Sequence, residues 1–304
     1  MLANNLLLIF IFITGLCLGS FYNVVILRSI SGESIVFPPS KCPKCGNKLK
    51  PWHNIPVLSY LLLRGRCGFC KEKISIQYPI VELVTAILFC LIFNRYGLSF
   101  TTLFTMFWVS CLIIMTVTDI KTKLVDCNYA IAMGVSGLIY MLISNQLNGL
   151  WSSLGGALLG YIIVELVARL GYLLKKNRAM GEADSYLAAA FGAIVGYQGI
   201  VTVLLYSVAA SMFFILPVFW YNRYKDKDAM TLLLSALFLA SVAITYYNPF
   251  SALSYLVVMF AGLLLVVQII KTIRNSSNLN YIPFVPALSV GFIYYYIFAA
   301  YFVY

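Results

Sequence analysis

Two cysteine pairs, Cys42-Pro43-Lys44-Cys45 and Cys67-Gly68-Phe69-Cys70, share the spacing of zinc knuckles. Zn²⁺ takes four thiolates tetrahedrally and closes its coordination shell, so Cys42, Cys45, Cys67 and Cys70 predict a structural zinc site. His53 is the sole histidine. It lies between the pairs and reads as a loop residue, because four thiolates already fill the shell. A second chemistry could come from carboxylates, of which the chain has only ten. Asp119 closes an apolar run in Val117-Thr118-Asp119-Ile120-Lys121, and Asp184 opens another in Met180-Gly181-Glu182-Ala183-Asp184-Ser185. Acids at a membrane edge are costly and ask for a reason. Two aspartates that meet can hydrolyse a peptide bond, one holding a proton while the other activates water. On spacing alone, each could instead cap a helix or pair with Lys121 or Lys123. A serine-protease relay has no histidine to spare, and no His-Glu-x-x-His helix is present. If the chain hydrolyses peptides, the aspartates are its engine.

The other acids invite plainer readings. Asp226 and Asp228 alternate with Lys225 and Lys227 as a solvated charge run, and Glu33 and Glu72 are loop residues. Glu165 precedes Arg169 by one helical turn, the order that favours an intrahelical ion pair. Asp126, seven residues after Asp119, is that residue's rival. Helix dipoles would make Asp184, at a helix start, the base and Asp119, at a helix end, the acid.

These residues must be positioned by membrane helices. Hydrophobic residues make up 62% and charged residues 10%, with a mean hydropathy of +0.91. That composition predicts an all-α polytopic membrane protein. About ten apolar segments are visible, near 6–27, 79–94, 101–118, 128–144, 153–174, 185–197, 200–220, 230–247, 252–270 and 283–303. Segment 185–197 is too short to cross a ~30 Å core alone, which predicts either a tilt or a break at Gly192, Gly196 and Gly199. The first run leads to Arg28 with no basic region before it, and reads as a retained helix. Residues 1–27 are thus a first membrane helix, 28–78 a Pro- and Gly-rich knuckle domain, and 79–304 a helical membrane domain. The net charge of +11 could suggest nucleic acid. However, 19 of the 21 basic residues fall on alternate connections, nine of them within 28–73. This is the positive-inside pattern. It places the knuckle domain and both aspartates at the cytoplasmic face and makes anionic lipid, not nucleic acid, the partner of the charge. Cys17, Cys90, Cys111 and Cys127 read as small buried hydrophobes.

The motifs resemble the bacterial prepilin peptidase family, the leader peptidases and N-methyltransferases of type IV pilus and type II secretion systems. Gly19-Ser20-Phe21-Tyr22-Asn23 is similar to the family's opening signature, and the stretch Cys42 through Ile55-Pro56-Val57-Leu58-Ser59-Tyr60 to Cys70 to its zinc domain. Tyr78-Pro79-Ile80-Val81-Glu82 follows, and Ile282-Pro283-Phe284-Val285-Pro286-Ala287-Leu288 resembles the C-terminal signature. Ala183 stands where the family's Gly-x-Gly-Asp tetrad has its second glycine, and Val285 replaces a glycine commonly seen between the prolines. The resemblance implies an intramembrane aspartyl protease of the bacterial inner membrane, with Asp119 and Asp184 catalytic. Gly181, Glu182 and Asp126 would support them. It further implies prepilin and pseudopilin substrates cut after a glycine at the cytoplasmic face. S-adenosylmethionine-dependent methylation of the new N-terminus would follow. Glu82, just inside a helix after the knuckle domain, is the candidate for that second site, its alternative reading being a buried structural carboxylate. Pilus or type II secretion assembly proteins would be partners, and residues 229–270 an extra helical pair. The rival readings are a transporter or channel with a regulatory knuckle domain, and a nonenzymatic assembly scaffold.

Overall fold

A computed structural model of the chain describes residues 2–37, 39–175, 181–225, 228–247 and 284–298, with isolated positions between 256 and 268. The described residues are helical apart from turns and isolated β-bridges. The helices are α1 (Leu2–Ser31), α2 (Leu58–Leu62), α3 (Gln77–Tyr96), α4 (Phe100–Thr122), α5 (Cys127–Lys175), α6 (Glu182–Lys225), α7 (Ala229–Tyr247) and α8 (Val285–Ile297). Five described stretches are long and apolar enough to cross a membrane, within α1, α3, α4, α5 and α6. Most of the apolar segment 252–270 lies outside the described residues, as do Ile282 and Pro283 of the C-terminal motif.

The stretch Cys127–Leu173 runs for 47 residues. A straight helix of that length would span about 70 Å, more than twice a ~30 Å hydrocarbon core. It is not straight. Asn145 and Gln146 leave helical geometry, Gln146 at φ 52°. Before this bend, Gly134 lies against Ala190, and Gly137 against Ala193 and Ile194, so the residue numbers rise together. After it, Ser153 Oγ donates to the Ala193 carbonyl, Gly156 abuts Gly192 and Gly160 abuts Ala188, so they run in opposite directions. The chain therefore reverses at 145–146, separating the two apolar segments read from the sequence.

α6 reverses in the same way at Gly196, whose φ of 73° suits glycine. Gly156 meets Tyr197 as well as Gly192, and Gly160 meets Ile200 as well as Ala188. The short segment 185–197 is thus broken at Gly196, one of the three glycines proposed. α8 then runs antiparallel to the second arm of α6, since Gly199 lies against Tyr295 and Ser207 against Gly291. α8 is also antiparallel to α4: Asp119 meets Val285, Thr116 Oγ1 donates to Ser289 Oγ at 3.0 Å, and Trp108 packs edge-on against Phe292.

α1 and α3 cross closely and antiparallel. A side chain at Gly15 would strike the Ala86 backbone, and one at Gly19 would come 2.7 Å from Glu82 Cα. One turn further on, Asn23 Nδ2 donates to the Tyr78 carbonyl at 3.2 Å. Lipid offers no hydrophobic drive to bring spans together, so packing through small residues takes that role. α4 stops at Lys123, whose φ of 57° lets its N–H return to the Asp119 carbonyl.

The chain divides into two compact units. The first comprises Met1–Glu165, Glu182–Ser207 and Pro283–Tyr304, and the second Leu166–Gly181 and Val208–Ile282. Within the second, Asp228 caps α7 by accepting from the Thr231 N–H and hydroxyl at 3.2 and 2.7 Å. That contact adds a structural role to the charge run read from the sequence.

Gly192→Ala would push a methyl group into the Gly156 carbonyl of a packed hairpin. We expect it to cost about 1–3 kcal/mol, read as a lowered midpoint of thermal unfolding in detergent.

Candidate active site and metal centre

The two cysteine pairs fold into matching loops. In the first, the Cys42 N–H donates to the Asn47 carbonyl and the Gly46 N–H to the Cys42 carbonyl, closed by a bridge between Lys41 and Lys48. In the second, the Cys67 N–H donates to the Glu72 carbonyl and the Lys71 N–H to the Cys67 carbonyl, closed by Arg66 and Lys73. The loops converge so that all four Sγ atoms lie within 4.8 Å of one another, with Cys42 and Cys70 sulfurs 3.9 Å apart. Tetrahedral Zn–S bonds of ~2.3 Å require sulfurs about 3.8 Å apart. Backbone N–H groups of Cys70 and Phe69 hold the Cys67 thiol down at about 7. Cys70 accepts from the Glu72 N–H, yet desolvation and the neighbouring sulfurs push it up to about 11. Clustered thiolates repel one another, and a divalent cation removes that penalty. The cluster can therefore bind a metal ion. His53 stays outside it, edge-on to Phe69 and filling the space beside Gly68.

Asp119 and Asp184 sit at one end of the main apolar core. Asp119 is 0% exposed and Asp184 1%. Along α4, Trp108, Leu112 and Met115 form a stripe leading to Asp119; along α6, Leu187, Phe191 and Ile194 lead away from Asp184. Phe191 stacks on Phe292 with ring centroids 4.5 Å apart. Asp184 precedes Phe191 by seven residues, and Val285 precedes Phe292 by the same interval. Because α8 runs parallel to the first arm of α6, both positions lie about 10 Å to the same side of that stack. Asp119 joins this level directly, since its Oδ2 accepts from the Val285 N–H at 3.3 Å. Its Oδ1 is buried with no hydrogen-bond partner among the described residues. An acceptor without a protein donor is costly in an apolar core.

The remaining candidates differ in setting. Asp126 is exposed, and its Oδ1 accepts from the Asn128 N–H at 2.9 Å at the start of α5. Gly181 immediately precedes α6, and Glu182 lies in its first turn within electrostatic range of Cys127. Glu82 is 5% exposed; its Oε2 accepts from the Val57 N–H at 2.7 Å, and Ser20 supplies a further hydrogen bond. Glu165 is half-buried and accepts from Ser185 Oγ at 3.2 Å, directly beside Asp184.

Residues 13–96 match the model of the bacterial peptidase A24 N-terminal domain, and residues 106–216 that of the type IV leader peptidase family. A protein named prepilin leader peptidase/N-methyltransferase from Neisseria gonorrhoeae is 35% identical over 64% of this chain and 76% of its own length. The chain belongs to the type IV leader peptidase family. Proteins of the same name from Klebsiella pneumoniae, 35% identical over 66% of this chain and 91% of theirs, and from Myxococcus xanthus, 34% over 66%, agree. The alignment spans 59% of the Myxococcus protein. No solved structure matches the chain at a significant level. This member of the family is a multi-pass membrane protein, and its family-model match ends at residue 216, before α7.

Three contacts around the candidate residues had no signal in the sequence. Nothing in composition says that the Val285 backbone would meet Asp119, although the C-terminal motif marks that stretch. Ser185 and Glu165 are 20 residues apart, and Val57 and Glu82 are 25 apart; only the fold brings them together.

Gly46 and Lys71 occupy the same place in the two loops, both with positive φ, 71° and 62°. We expect Lys71→Gly to relieve about 1 kcal/mol and to slow metal loss to a chelator. Cys42→Ser should abolish stoichiometric metal binding, measured by elemental analysis of the purified protein.

Proposed function

We propose that the protein is an intramembrane aspartyl endopeptidase that removes the leaders of type IV prepilins and pseudopilins, with Asp119 and Asp184 as the catalytic pair. The observation carrying this reading is the near-complete burial of both carboxylates on helices that are distant in sequence and share one apolar core. The reading is further supported by family membership and by the names of the relatives. One aspartate, as carboxylate, takes a proton from a water molecule, and the hydroxide attacks the carbonyl of the leader's last glycine. The other aspartate, protonated, supplies a proton as the amide breaks, so that a carboxylic acid and a free amine leave. The Val285 N–H would hold the Asp119 carboxyl in place. Gly181 and Glu182 would shape the turn into Asp184, and Asp126, exposed and capping, would support the connection between α4 and α5.

The substrate class follows from the family and from charge. A prepilin has a short basic leader, a glycine and then an apolar helix, so its scissile bond lies where lipid meets cytosol. The basic connections of this chain favour a cytoplasmic position for that end of the core, in the bacterial inner membrane. The metal would be zinc, holding the knuckle domain together. We further propose that the new N-terminal amine is methylated with S-adenosylmethionine as donor. Glu82, a buried carboxylate at the junction of knuckle domain and spans, would position that site. Pilus or type II secretion assembly proteins would receive the product, and α7 would be an addition to the family core.

The test is cleavage of a purified prepilin by the protein in detergent. Asp119→Asn and Asp184→Asn should each lower kcat by ~10²–10⁴-fold or more, while Asp126→Asn keeps most activity. Cleavage at the unaltered rate by both Asn variants would end the assignment. In the same assay, Glu82→Gln should suppress methyl transfer from labelled S-adenosylmethionine while cleavage continues; undiminished transfer would remove Glu82.

A further inference from the structure

The knuckle domain carries an apolar surface that none of the chemistry above uses. Leu58, Leu61 and Leu62 share one face of the short helix α2 and are 57%, 63% and 79% exposed. Trp52 and Ile55, just before α2, are exposed as well. A soluble domain would bury such a group or break it with charge. Here exposed charge flanks it in sequence, and Lys50 lies over the Trp52 ring. Lys41, Lys44, Lys48, Lys50, Arg64 and Arg66 are all exposed, and residues 28–73 contain only two acids, Glu33 and Glu72.

A second observation sets the depth at which this face lies. Val57, the residue before α2, has φ 62° and ψ −50°, and the Leu58 N–H returns to the Pro56 carbonyl at 2.6 Å. This is a γ-turn of the rare, strained hand, made by a β-branched residue that avoids positive φ. The contact holding it is the hydrogen bond from the Val57 N–H to buried Glu82. Glu82 lies five residues inside α3, about 7.5 Å from its start at Gln77. The start of α2 is thereby pinned beside the first turns of a membrane span rather than held out in solvent. The outer face of that same span, Ile80, Val84 and Ile87, is exposed and apolar, as lipid-facing residues are.

We propose that α2 is an interfacial anchor. Leu58, Leu61 and Leu62 enter the acyl boundary of an anionic lipid leaflet, while Arg64, Arg66 and the knuckle lysines meet its headgroups. The strained turn at Val57, latched by Glu82, sets the depth and angle of entry. The metal-held domain then lies against the bilayer, with its loops fixed relative to α1 and α3.

The test uses the full-length protein carrying Leu62→Trp, reconstituted in nanodiscs of phosphatidylcholine alone or mixed with phosphatidylglycerol, with ordinary or brominated acyl chains. Emission of the unaltered protein is subtracted. The added tryptophan should emit blue-shifted light and lose severalfold intensity in brominated lipid, more strongly when phosphatidylglycerol is present. Adding Leu61→Asp should restore the intensity. Added emission that is unquenched overturns the proposal, whether red-shifted, meaning water reaches the face, or blue-shifted, meaning protein covers it. Metal content equal to that of the unaltered protein verifies that the knuckle domain is folded; if Leu62→Trp loses metal, Leu58→Trp replaces it and is read the same way.

Discussion

Burying two carboxylates in an apolar core is the constraint around which this molecule is arranged. An acid at the edge of a bilayer is tolerated where protein, water or a hydrogen-bond donor meets it. Asp119 and Asp184 are almost wholly covered. The fold meets the cost by bringing the start of α8 to Asp119, where the Val285 N–H becomes a donor. It leaves Asp119 Oδ1 buried without a hydrogen-bond partner among the described residues. A chain selected for stability alone would gain by replacing such a group with leucine.

Everything that positions the pair follows from close helix approach. Glycine and alanine on both reversing helices, Gly137, Gly156, Gly160, Ala188 and Gly192, let backbones touch where larger side chains would hold them apart. The reversals at 145–146 and at Gly196 convert two overlong helices into two hairpins. The stacked rings of Phe191 and Phe292 then register α6 against α8. This register matters more than the identity of any one core residue, because both acidic positions are counted from it.

The four-cysteine domain relates to the spans through different physics. Its own order comes from thiolates and short backbone loops, since fifty residues rich in proline and glycine cannot build much of a core. Its attachment to the membrane helices runs through Glu82, whose buried carboxylate reaches the backbone of a strained turn. One side chain thus belongs both to a packed α1–α3 crossing and to the entry of α2. Its hydrogen bond to the Val57 N–H makes it the mechanical link between the two parts.

Much of this was readable before any coordinates. Cysteine spacing marked the four-cysteine cluster that could hold a metal ion, because tetrahedral thiolate chemistry constrains loop length. Apolar run lengths determined the spans, because a bilayer has a fixed thickness. That 185–197 is too short for a straight span was legible for the same reason, while the choice of a break at Gly196 over a tilt was not; family motifs marked Asp119 and Asp184. What the tertiary structure alone decided were contacts between residues far apart in sequence: the Val285 amide on Asp119, Ser185 on Glu165, Val57 on Glu82. It also separated Asp126, exposed and capping a helix, from its buried rival seven residues earlier. Local periodicity says which face of a helix is apolar, but not which backbone will lie against it. That depends on how several helices share small residues and on where the chain turns back, which no single stretch of sequence specifies.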